Sequence, residues 1–151
     1  MRLWNGWGDE KDYSNVELSS SLKALLSGLL GSGKALPITT LKKVISKIPE
    51  SKMPHHKLIS TSKEERLRHT RGQSLSDWFS MHSGAIDCFT DGVAFPRSND
   101  EVKELLLFAS ENNINVIPYG GGTSVVGHIN PERHGKPNLT ISMANMTRLL
   151  D

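Results

Sequence analysis

Cysteine is nearly missing from this chain: Cys88 stands alone among 151 residues, so no internal disulfide framework can staple it. Long hydrophobic runs are missing too, and nothing approaches the ~20 apolar residues that a membrane-spanning helix needs. The opening Met1-Arg2-Leu3-Trp4-Asn5-Gly6 has no basic stretch followed by an apolar core, so a protein that is not secreted is expected, with a cytoplasmic setting preferred. Aromatic residues are absent from residues 34–71, which hold ten Lys and Arg against three Glu and conceal a strong basic bias beneath the formal net charge of +2. Without a base-stacking platform, that stretch reads as a solvated basic face, and no nucleic-acid partner is expected. His55, His56, His69, His82, His128 and His134 do not fall at metal-ligand spacings, so no metal site is expected.

The remaining composition, 36% hydrophobic and 23% charged, is that of an ordinary soluble domain. Trp4-Asn5-Gly6-Trp7-Gly8 predicts an irregular segment anchored by its indoles. Leu18, Leu22, Leu25, Leu26, Leu29 and Leu30 recur at three and four, which places them on one helical face ended by Gly31 and Gly33. A second helix is predicted over 39–47, with Leu41, Val44, Ile45 and Ile48 as its buried stripe and Pro49 as its stop. Residues 50–84 are polar and show one short helix, over 75–81.

Beyond Gly84 the pattern becomes strand, helix, strand, loop, strand. Val93-Ala94-Phe95 is a short extended piece closed by Pro96. Ser98-Asn99-Asp100-Glu101 has the form of a capping box, and Val102, Leu105, Leu106 and Ala109 follow at helical spacing until Asn112-Asn113. Residues 114–118 are branched and apolar, as in a buried strand, and Leu139, Ile141 and Met143 alternate with Thr140 and Ser142 in another with one face inward. The fold class expected is α/β (α+β), with a small parallel sheet and a crossover helix in 85–151, preceded by a helical and irregular region over 1–84.

Pro118-Tyr119-Gly120-Gly121-Gly122-Thr123-Ser124 leaves the carboxyl end of a predicted parallel strand, the edge at which open α/β sheets bind ligands. Three successive glycines let a ligand approach the main chain, and Thr123 and Ser124 add hydroxyls at the rim. Such a surface suits a diphosphate. On the residues alone, a phosphate cradle and a plain flexible turn both stay open. The dinucleotide fingerprint of nicotinamide enzymes does not apply, because the glycines are contiguous and no convincing helix follows. Gly28-Leu29-Leu30-Gly31-Ser32-Gly33-Lys34 has the spacing of a triphosphate-binding loop, but Ala35 stands where the magnesium-binding hydroxyl belongs and the segment trails a helix. Cys88 reads as an inert thiol, and His128 as a loop residue close enough to the glycines to approach a ligand.

Several of these segments together resemble the alkyl-dihydroxyacetonephosphate synthase family, within the FAD-binding superfamily of the PCMH type that includes vanillyl-alcohol oxidase. Trp4-Asn5-Gly6-Trp7-Gly8, Lys34-Ala35-Leu36-Pro37 and Arg66-Leu67-Arg68-His69-Thr70-Arg71-Gly72-Gln73-Ser74 are similar to that family's amino-terminal segments. Asp91-Gly92-Val93-Ala94-Phe95-Pro96 resembles the opening of its flavin domain, with Thr90 in place of the usual proline. The loop from Pro118 to Ser124 matches its pyrophosphate loop, the most specific of these motifs.

The resemblance implies the first subdomain of a PCMH-type FAD-binding domain, with FAD held through Pro118, Tyr119, Gly120, Gly121, Gly122, Thr123 and Ser124. Thr123 stands where some superfamily members have a flavin-linked histidine, which implies non-covalent binding. The implied reaction of a full-length protein exchanges the acyl group of an acyl-dihydroxyacetone phosphate for a fatty alcohol, a step of ether-lipid synthesis. The alternative is an FAD-linked oxidase or dehydrogenase of a hydroxy acid. Neither assigns a catalytic residue within these 151 positions, and the stretch alone is expected to be an inactive, truncated portion. The resemblance also leaves room for a homodimer, for peripheral membrane contact and, in a eukaryote, for a peroxisomal setting.

Overall fold

The computed structural model describes residues 3–6, 8–9, 11, 18–34, 36–133 and 135–149, so Trp7, Ala35, His134, Leu150 and Asp151 lie outside the described residues. Its elements are α1 (Ser20–Leu30), α2 (Leu41–Ile45), β1 (Ile59–Ser60), α3 (Lys63–Arg68), α4 (Leu75–Ser83), β2 (Gly92–Ala94), α5 (Asn99–Glu111), β3 (Asn115–Tyr119) and β4 (Asn138–Ser142), followed by a 3-10 turn over Met143–Asn145. The strands form one sheet in the order β1-β2-β4-β3. β4 is parallel to both of its neighbours, and β1 adds an antiparallel edge to β2. The expected strand, helix, strand crossover is therefore present as β2, α5 and β3, with β4 inserted between its two strands.

Helix α5 starts where the Ser98 hydroxyl accepts from the Glu101 amide at 3.2 Å. The predicted capping box is modified, because the Glu101 carboxylate accepts from the amide of Arg97 at 2.6 Å instead of from Ser98, one residue further along. The helix ends at Asn112, and Asn113 turns into a left-handed conformation, φ 54°, that asparagine tolerates better than most side chains. Leu105 and Ala109 meet Ala94, Leu139, Ile141, Ile114 and Met53 in the main core, whereas Leu106 stays exposed. Burying a leucine in this way is worth about 1.5–3 kcal/mol.

Strand β4 corrects a second expectation. Only one face was to point inward, yet all five residues are buried. Leu139 and Ile141 face the α5 side, while Thr140 joins a polar layer in which its hydroxyl donates to Thr90 Oγ1 at 3.0 Å. Met143 leaves the strand for the 3-10 turn and is exposed.

On the amino-terminal side, Val44 and Ile48 are buried with Leu67 of α3, and Trp4, Leu41 and Ile45 pack around them, as the stripe requires. Helix α1 has its predicted periodicity but buries no residue, and Leu25, Leu29 and Leu30 are exposed. Among the described residues, no helix is long and apolar enough to cross a membrane.

Candidate cofactor site

All three parallel strands direct their carboxyl ends to one edge of the sheet, and the glycine loop leaves that edge from β3. Pro118 is exposed and contributes no amide hydrogen. Tyr119 turns inward: it is 3% exposed, its ring lies 4.7 Å from that of His69, and its hydroxyl donates to the Arg68 carbonyl at 3.3 Å. It anchors the end of β3, leaving the open part of the loop to the residues that follow.

Gly120 and Gly121 are exposed, and a Cβ built on Gly120 would meet nothing within 4 Å. Gly122 is buried and has φ 67°, a conformation that a side chain would strain. Thr123 is exposed beside it. Ser124 is half-buried, its carbonyl accepting from the Gln73 amide at 2.6 Å and its hydroxyl lying 3.2 Å from His128 Nδ1. The two open glycines and the exposed threonine thus form a tip, hinged between a strand and a pinned serine, on which an anion can reach the main chain. An accessible main chain with a hydroxyl beside it suits a diphosphate.

Two cavities, of about 510 and 450 Å3, lie away from the glycines at the amino end of α5, with Arg97 and Asn145 lining both. A smaller one of about 270 Å3 runs beside β3 and is lined by Pro118, His128 and Asn130 among others. Ligand pockets typically measure about 300–1,000 Å3, so the smaller space would take only part of a dinucleotide. The loop is an open surface, as half of a shared site would be.

Residues 90–151 match the family model described as an FAD binding domain. The alkyldihydroxyacetonephosphate synthase of Dictyostelium discoideum is 25% identical over 97% of this chain and 30% of its own length. That of Trypanosoma brucei brucei is 33% identical over 56% of this chain and 14% of its own length. The mitochondrial D-lactate dehydrogenase (cytochrome) of Arabidopsis thaliana is 31% identical over 91% of this chain and 24% of its own length. A solved structure of alkyldihydroxyacetonephosphate synthase superimposes with a TM-score of 0.79 at 25% identity, over 99% of this chain and 34% of that one.

Residues 90–151 are an FAD binding domain, in a chain similar over nearly its whole length to the alkyldihydroxyacetonephosphate synthase family. FAD is its cofactor, and its sheet is the fold of that family's FAD-binding region. The chain spans about a third or less of the length of the relatives just described.

Within this flavoprotein fold, Thr90 has a structural account. Its amide donates to the Thr70 hydroxyl at 2.9 Å, a bond that the proline of the resembling motif would forgo. Its own hydroxyl lies 2.9 Å from the Asn138 carbonyl and 3.0 Å from Thr140 Oγ1, so one side chain ties the approach to β2 to β4. Asp91 is equally structural, with its carboxylate accepting from the amides of Lys52 at 3.2 Å and Asn138 at 2.9 Å.

Cys88 is half-buried, and burial pushes its thiol above the ordinary range, with the nearby Arg71 charge opposing. A raised pKa keeps the sulfur protonated and unreactive near neutrality. Alkylation of the folded flavoprotein by iodoacetamide at pH 8 should therefore run slower than that of a free thiol. Mass spectrometry of the Cys88 peptide checks this; a rate equal to glutathione's would contradict the thiol's burial.

Sequence reasoning passed over the clasp on Ser124. Gly72 and Gln73 were visible only within the family-like Arg71-Gly72-Gln73-Ser74 run, and nothing local points from there to a loop some fifty positions away.

Proposed function

We propose that residues 118–124 hold the diphosphate of FAD in a flavoenzyme that replaces the acyl group of an acyl-dihydroxyacetone phosphate with a fatty alcohol. The supporting observation is the pair of exposed glycines, Gly120 and Gly121, at the carboxyl end of a parallel strand, with Thr123 beside them. When bound, the flavin supplies the chemistry that side chains lack, and this chain's part is to bind and orient it. The proposal is tested with the full-length protein: acyl-dihydroxyacetone phosphate and a labelled fatty alcohol should yield the ether product and free fatty acid with no net reduction of an added dye.

The D-lactate dehydrogenase relatives favour a second reading, an FAD-linked dehydrogenase of a hydroxy acid. Dye reduction that depends on D-lactate, with no ether product, would select it.

Either reading carries the same consequence at Thr123. Threonine offers no ring nitrogen for a bond to the flavin, so acid precipitation of the holoprotein should release essentially all the FAD into the supernatant. A yellow pellet that keeps its flavin through denaturation and washing would contradict non-covalent binding.

A further inference from the structure

The glycine tip is intrinsically loose, and what fixes its trailing limb comes from outside the matched FAD-binding segment. A Cβ on Gly72 would fall 2.3 Å from the Ser124 carbonyl oxygen, so the 72–73 backbone lies directly against the loop, where Gln73 makes its bond. The Gly72 amide in turn donates to Asn130 Oδ1 at 3.2 Å. Asn130 closes the turn that follows the loop, its own amide donating to the Gly127 carbonyl at 2.9 Å. Its side-chain Nδ2 donates to Asp77 Oδ1 at 2.7 Å.

Asp77 is 2% exposed. Its second oxygen is engaged at the start of α4, where Ser74 donates from its amide at 3.2 Å and from its hydroxyl at 2.6 Å. Arg71 Nε stands 3.9 Å from Oδ1 on the other side. The chain of contacts runs from the capped end of a helix, through a buried carboxylate and one amide side chain, to the backbone clasp on Ser124.

We propose that Asp77 and Asn130 are positioning residues for FAD, which hold the trailing limb of the glycine loop in its binding shape without touching the cofactor. This rests on the assignment of the diphosphate to residues 118–124. A run of glycines loses more conformational freedom on ordering than any other residues, so an anchor that orders it beforehand strengthens binding without adding a contact to the ligand.

The pair can be exchanged with its hydrogen bonds kept, at the loss of the 3.9 Å ion pair between Arg71 and Asp77. In the double variant Asp77→Asn/Asn130→Asp, the carboxylate at 130 still accepts from Gly72 and now also from the amide group at 77. The amide oxygen at 77 still accepts from Ser74. Asn130→Asp alone sets two carboxylates against each other, and Asp77→Asn alone leaves the pair dependent on one amide orientation.

The test is titration of the full-length protein with FAD, followed by flavin fluorescence, beside FAD-free thermal melts. Asn130→Asp should weaken FAD binding about tenfold or more, and the double variant should return to within about threefold of the parent, as a coupled pair does. Ile141→Val, a core change on the α5 side of the sheet, should lower the melting temperature yet leave FAD affinity unchanged. FAD binding that ignores Asn130→Asp would overturn the inference. So would a double variant that regains its melting temperature but not its affinity, or an affinity loss in Ile141→Val equal to that in Asn130→Asp. A parent protein whose FAD affinity is unaffected by side chains added at Gly120 would instead sink the loop assignment itself.

Discussion

Gly120→Val should leave the FAD-free protein as stable as the parent and weaken FAD binding by roughly 10- to 100-fold. The first half follows from open space: an added Cβ meets nothing within 4 Å, and Gly120 is not among the glycines with positive φ. Exposed substitutions of that kind usually change stability by less than about 0.5 kcal/mol. The second half follows from what a diphosphate needs there. A branched side chain stands between the phosphate and the main chain, and each hydrogen bond to a charged group that it prevents is worth about 1.5–3 kcal/mol.

Gly122→Val makes the opposite control, because Gly122 is buried with φ 67° and a β-branched residue there should destabilise the fold itself by about 1–3 kcal/mol. Equal unfolding by both variants, or undiminished FAD binding in Gly120→Val, would leave the loop as no more than a turn.

Arg66→Ala should cost about 3–5 kcal/mol of folding stability. Arg66 is 1% exposed on α3, and burial pushes its guanidinium below the ordinary range while the charge of Asp91 opposes that shift. Its Nε donates to the Thr90 carbonyl at 2.7 Å and its NH1 to the Pro49 carbonyl at 2.9 Å. One side chain thereby joins the end of the α2 region, α3 and the approach to β2. Alanine would strand the buried Thr90 carbonyl and remove a charge that offsets Asp91, and a stranded buried group costs about 1–3 kcal/mol.

Arg66→Lys should recover only part of the loss, since an ammonium cannot present the two separated donors of a guanidinium fork. In a domain of this size the alanine variant should melt about 10 °C lower. A urea midpoint within error of the parent would show that the buried guanidinium is dispensable.

Much of the carboxyl-terminal half is legible because its signals are local. Ser98 announces α5, the branched run after Asn113 becomes β3, and the alternation through Leu139 and Ile141 becomes β4. The polar middle of the chain is opaque for the opposite reason. β1 has two residues, too few for any period, and the buried member of α3 beside Leu67 is a charge, so the usual apolar marker of an inward face is replaced by Arg66. Thr70, Thr90 and Thr140 form a buried polar layer that reads from sequence as surface. The stripe on α1 shows the converse, a correct helical period in a helix that buries none of its residues. The glycine loop itself is conspicuous in sequence, but its clasp comes from Gln73, some fifty positions from Ser124, and is backed by a bond between Gly72 and Asn130, and only the folded chain brings these residues together.

The most direct test of where the cofactor sits is a crystal structure of the full-length protein with FAD. The diphosphate oxygens should lie within hydrogen-bonding distance of main-chain amides in residues 120–124, with Gly72 still against the Ser124 carbonyl. A diphosphate seated instead at the amino end of α5, beside Arg97 and Asn145, would contradict the account.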